Sequence, residues 1–154
     1  MVLSEKGMLV LPGVEGVGVH RLGLACGRHQ AYRTAAVLKR LPDWHVRLAA
    51  LLAAASTRPF DGHRWNCGRF TLAAVQASTG GRPAWRSLPT LEASADSAGF
   101  PRIPPAFARA GDVVLAGDPP RLGVVVDGGR AAFVGPRGLV RISLTDCATA
   151  WRIG

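Results

Sequence analysis

The chain has 154 residues, 48% of them hydrophobic, and 19 basic against 10 acidic side chains give a formal charge of +9. That length suits one domain with a buried core, and the longest apolar run, Leu48 to Ala55, is too short to span a bilayer. Cys26, Cys67 and Cys147 are widely spaced and odd in number, a pattern that argues against a disulfide framework and for a reducing compartment.

The charge is almost all arginine, 17 against 2 lysines. These arginines stand singly from Arg21 to Arg152, and only 6% of residues are aromatic. A nucleic-acid surface concentrates its charge and interleaves it with aromatic rings. The dispersed pattern reads instead as a solvated basic surface suited to acidic partners.

In chain order, residues 1–40 alternate valine and leucine with glycine (MLVLPGVEGVGVHRLGLACG), and HQAYRTAAVLKR adds a helical turn or two. This reads as an N-terminal extension, a docking arm able to add to a neighbour's sheet edge. No basic segment precedes a clean apolar stretch there, so no secretory signal is expected. Gly13, Gly16 and Gly18 do not make the dinucleotide fingerprint. Cys26 and His29, with His20 nearby, lack the second pair that a structural metal needs, so neither metal nor cofactor is expected.

Residues 41–154 read as the globular part. In LPDWHVRLAALLAAAST, Asp43 is placed to cap a helix whose apolar face is Trp44, Leu48, Leu51 and Leu52, ending before Arg58-Pro59. A second helix starts at Asn66 or Cys67, buries Phe70, leaves Arg69 to solvent and stops at Gly80-Gly81. Residues 82–105 are rich in proline, serine and alanine, with one short helix at LEASADSAG. From Gly111 the runs GDVVLAG, RLGVVVD, RAAFVG and LVRISL, separated by tight turns, predict an antiparallel meander. Thr145-Asp146-Cys147 opens a short final turn to Trp151. The fold class is α+β, N-terminal helices packed on a C-terminal antiparallel sheet.

The stretch with chemistry is GHRWNCGRF, which puts Cys67 at a helix start. The positive end of a helix stabilises a thiolate, and free amides there can hold an oxyanion. A cysteine hydrolase also needs a base, ordinarily histidine, and a group to orient it. The bland alternative for Cys67 is a small buried residue at the top of a core helix.

The order of these segments (RPF-DGHRWNC-GRF, a helix ending in STG, PPAFARAGDVVL, RLGVVVDGGRAAFVG-PRGLVRISL and DCATAWRIG) resembles the NlpC-type, papain-like cell-wall peptidases. It is most similar to a divergent phage and prophage branch found among tail-tip genes. The resemblance covers residues 41–154. It implies a papain-like fold with Cys67 at the nucleophile position, Asn66 where such enzymes usually have Asp, and Arg121 at the histidine position. Arginine is permanently protonated and cannot serve as general base, and no polar third member stands near Ala132-Phe133. His63, four residues before the thiol, is the substitute base on offer. The resemblance therefore implies a structural component of a phage or phage-like tail tip, virion-borne and assembled in the host bacterial cytoplasm. Its partners would be other tail-tip or hub proteins. The alternative is an active cysteine endopeptidase or amidase acting on peptidoglycan.

Overall fold

A computed structural model describes residues 38–154; the extension, with Cys26, His29 and His20, lies outside the described residues. Among these residues two long helices come first, α1 (Trp44–Ala55) and α2 (Cys67–Thr79), followed by a short α3 (Leu91–Asp96). The strands are β1 (Arg102–Ile103), β2 (Val113–Ala116), β3 (Arg121–Asp127), β4 (Arg130–Gly135), β5 (Gly138–Ser143) and β6 (Cys147–Trp151). They form one six-stranded sheet in the order β1-β6-β2-β3-β4-β5, antiparallel at every pairing. The expected α+β class and the β2–β5 meander hold.

β6 differs from the expected closing turn. The short side chains of CATAW carry little strand signal. The segment is nonetheless extended, because it fills the slot between β1 and β2 and pairs Ala150 with Val114 and Trp151 with Val113. Only a three-residue 3₁₀ turn, Leu144–Asp146, precedes it.

Each helix boundary has a local cause. Asn66, in extended backbone, accepts the Arg69 amide on Oδ1 at 3.0 Å, a true N-cap for α2. Gly80 ends α2 at φ 75°, the left-handed conformation that glycine adopts without a Cβ clash. Asp43 precedes α1 as expected but does not cap it; its carboxylate instead pairs with Arg47 one turn on, at 3.0 Å. Both members of that pair are exposed, so it adds only tenths of a kcal/mol.

The sheet is buried on both faces. Toward the helices, Val124, Ala132 and Val134 meet Phe70 and Ala74 of α2 and Leu48 and Ala55 of α1, with Trp44, Leu51 and Leu52 packed around them. On the same face Val113, Leu115 and Leu122 join Val75, Trp151 and Ile153. The opposite face carries Val114, Val125, Ala131, Phe133 and Ala150, covered by Leu144, Ile103 and Ala108. Each fully buried residue of Val, Leu or Phe size contributes about 1.5–3 kcal/mol of transfer free energy, so the alternation fixes register firmly.

One polar centre sits inside this apolar frame. Asp112, just before β2, is 0% exposed. Its Oδ1 accepts from Arg40 Nη2 at 2.9 Å and the Ile153 amide at 3.0 Å. Its Oδ2 accepts from Arg152 Nε at 3.0 Å and the Arg109 amide at 2.9 Å. Arg40 also donates to the carbonyls of Ile153 and Ala110 and lies 4.2 Å over the Trp44 ring. Arg40, read from the sequence as the end of the extension, is thus part of the folded domain. Leu38, also before residue 41, packs on the core.

Removing one side of a buried ion pair costs about 3–5 kcal/mol. Asp112→Ala is expected to lose about that much, measured by denaturant unfolding of the full chain, and Arg40→Ala a smaller amount in the same direction. A second acid gives a pH signature. Asp96 accepts from Arg102 at 2.6 Å and from Trp151 Nε1 at 2.9 Å, and the Arg102 hydrogen bond holds its carboxyl below the ordinary 3.8. A depressed carboxylate stabilises the fold above its unfolded-state value and loses that contribution as pH falls through the folded one. Melting temperature is therefore expected to drop as pH falls below 3.8, and Asp96→Asn to flatten that acid limb.

Candidate functional site

The approach to Cys67 is a closed loop. Asp61 and Trp65 exchange both backbone hydrogen bonds, at 2.7 and 2.9 Å, pinching Gly62-His63-Arg64 outward. The Asp61 carboxylate accepts the amides of His63 and Arg64 from beneath and is held below the usual carboxylate range by those two hydrogen bonds. Asn66 Nδ2 donates to the Gly62 carbonyl at 3.1 Å. One side chain therefore caps α2 and ties down the loop before it. Arg58 stacks at 4.1 Å over Trp65, which is itself buried against Phe70.

Cys67 emerges from this loop as the first residue of α2, half-buried, its thiol free. It packs against the cluster of Leu122, Val113, Leu115 and Val75. The amides of Cys67 and Gly68 have no hydrogen-bond partner among the described residues, whereas the next two are taken by Asn66. The local arrangement is a thiol at a positive helix end beside two free donors, able to hold an anion.

Among the described residues no hydrogen bond joins a histidine to this thiol. Arg121, which the resemblance puts at the histidine position, opens β3. Strand alternation gives the α2 face to Leu122, which is fully buried in the cluster that Cys67 joins. Arg121 shares the opposite face with Gly123. Its guanidinium lies 5.8 Å over the Phe133 ring, and Gly123 must stay glycine because a Cβ there would sit 2.6 Å from that ring. Ala132, near which a third catalytic member would be sought, is buried and apolar.

His63 sits in the exposed loop, and no hydrogen bond joins it to Cys67 among the described residues. His45 lies on the exposed face of α1 against Trp44. Burial of the Cys147 thiol pushes its pKa up, and its Sγ donates to the Ser143 carbonyl at 3.7 Å, a structural arrangement. Among the described residues no group of three His, Cys, Asp or Glu side chains is placed to hold a metal ion, and no helix is long and apolar enough to cross a membrane.

Trp65 and Trp151 are buried anchors, while Trp85 is half-buried. Sequence reading missed the Asp112 centre. The available signal was an acid leading directly into the apolar run VVLA, where an unpaired carboxylate could not be buried.

The family described as Domain of unknown function (DUF6950) matches residues 39–153, and the chain belongs to it. No curated protein matches the chain. The matched region begins one residue before Arg40, in step with that residue's place in the core.

Replacing Asn66 tests how much of this geometry rests on it. Asn66→Ala is expected to cost about 1–2 kcal/mol, the range for a lost N-cap. Asn66→Asp, which keeps the cap acceptor and loses only the donor to Gly62, is expected to cost less. Thermal denaturation of both variants measures the difference.

Proposed function

We propose that this DUF6950 chain is a structural component of a phage or phage-like tail tip, built on a degenerate papain-like, NlpC-type cell-wall peptidase fold. The order of segments over residues 41–154 motivates the assignment. The observation that carries its non-catalytic half is the surroundings of Cys67: an apolar cluster with Leu122 where a base is needed, and Arg121 turned to the other face of the sheet. A thiol with oxyanion donors but no base beside it among the described residues lacks the proton transfer that acyl-transfer catalysis requires. The features retained are those that stabilise the fold, namely the Asn66 cap, the α2-on-sheet core and the buried acid before β2. In this reading the domain works through its surface, assembled with other tail-tip or hub proteins in the bacterial cytoplasm and carried on the virion.

Two experiments test it. Mass spectrometry of purified tail particles is expected to find the chain in the tail fraction, and Cys67→Ser is expected to leave its incorporation unchanged. Absence from particles would remove the assembly role. Full-length protein incubated with purified bacterial cell walls is expected to release no new amino or reducing groups. Release that disappears in Cys67→Ser and His63→Ala would instead establish the hydrolase, with the loop histidine as its base.

A further inference from the structure

One cleft in the described structure lies away from the thiol. It opens past the C-terminal end of α2, a helix length of about 18 Å from Cys67, and holds about 430 Å³. That volume is in the range of ligand-binding pockets. Leu38 and Phe100 give it apolar body, and Pro83 and Ala84 form one wall. Arg82 and Arg152 stand at it, and no acidic side chain lines it among the described residues. Gly154 also borders it.

The two arginines differ. Arg152 is held in place by Asp112 at 3.0 Å and by the Phe107 carbonyl at 2.7 Å, which leaves Nη1 without a partner among the described residues. Arg82 is exposed and makes no ion pair among them. One is a pre-positioned donor, the other an adaptable one.

The wall between them supplies a third feature. Residues 82–88 belong to no helix or strand, and the Ala84 amide and the carbonyls of Arg82 and Ala84 have no hydrogen-bond partner among the described residues. The Pro83 ring keeps Arg82 out of helical backbone. Unpaired main-chain donors and acceptors beside an apolar recess are what an added peptide strand uses: the main chain supplies affinity, the recess selects a side chain.

We propose that this cleft is a docking site for an extended acidic peptide segment of a partner protein, which seats one large apolar side chain against Leu38 and Phe100 and pairs a carboxylate with Arg82 and Arg152. Charge complementarity selects the occupant: a cleft with two arginines and no acidic side chain among the described residues, on a chain of net charge +9, favours an acidic ligand and repels a basic one. The site deepens the assembly role proposed above by naming a contact surface, and it does not depend on whether Cys67 is reactive.

The probe is a fluorescein-labelled peptide, Glu-Asp-Leu-Phe-Glu-Asp, titrated with the full chain and followed by fluorescence anisotropy. Its controls are the same peptide with lysine for each acid and one with serine for Leu-Phe. Binding of the first peptide, with both controls at least about tenfold weaker, is expected. Arg82→Glu and Ala84→Trp alter exposed side chains, so both variants are expected to fold with an unchanged melting temperature. Each is expected to weaken the acidic peptide about tenfold or more. Amide shifts in the nuclear magnetic resonance spectrum are expected to fall on Ala84, Phe100 and Gly154. Several results would overturn the proposal: no binding, equal binding of the lysine peptide, binding that Ala84→Trp leaves intact, or shifts elsewhere on the basic surface. Concentration-dependent dimerisation lost in Ala84→Trp, without peptide binding, would assign the cleft to a second copy of the chain. Cell-wall hydrolysis by the protein would refute the non-catalytic reading and leave this result standing.

Discussion

The fold depends on a carboxylate with no access to water. Asp112 is enclosed by two guanidinium groups and two backbone amides, drawn from the start of the domain, the segment before β2 and the C-terminal segment. A charge taken out of water is tolerated only when its lone pairs are met by donors at good geometry, and here each oxygen accepts two. Because those donors are far apart in sequence, the carboxylate is satisfied only when the whole domain has closed. The requirement is also directional. It sets where Arg40 enters, where β2 begins and where β6 exits toward Gly154, and apolar packing alone would leave these relations loose.

The other features follow from that frame. With β2 pinned at its start and β6 leaving beside it, Trp151 is drawn into the core and donates its indole N–H to Asp96, which Arg102 also holds. The helices lie on the face that Val113, Leu122, Val124, Ala132 and Val134 present to them. α2 then brings Cys67 to the margin of that face with its amides open. The position is set by core packing together with the Asn66 cap, so a thiol at a helix start needs no catalytic partner to hold it there. Such a thiol does not by itself argue for chemistry. The groups around it do, and the core cluster it packs on is apolar.

The two ends of α2 therefore carry different possibilities. At its start the structure has positive potential, a free thiol and a pinched loop, with Leu122 in the apolar cluster that the thiol joins. Past its end lies a recess with apolar walls, two arginines and free main-chain groups. Arg152 links that recess to the buried centre, since the guanidinium that pairs with Asp112 also faces the cleft. A surface built on an over-determined core residue is stiff, which lowers the ordering cost of binding.

Much of this architecture was legible in the sequence. Local signals marked α1 by its Trp44, Leu48, Leu51 and Leu52 stripe, α2 by Asn66 and Gly80, and the meander by alternating runs broken at Gly128-Gly129 and Pro136-Arg137, because caps, turns and periodicity act within a few residues. The position of Cys67 at a helix start was determined in the same way. Tertiary structure decided what depends on residues distant in sequence: that CATAW is a strand, that Arg40 belongs to the core, that Asp112 is fully bonded, and that Leu122 rather than Arg121 faces the thiol. The last of these turned on a single-residue step in strand phase, which the run RLGVVVD leaves open because it is apolar on both faces. Only the neighbours on each side, Phe133 on one and α2 on the other, could choose.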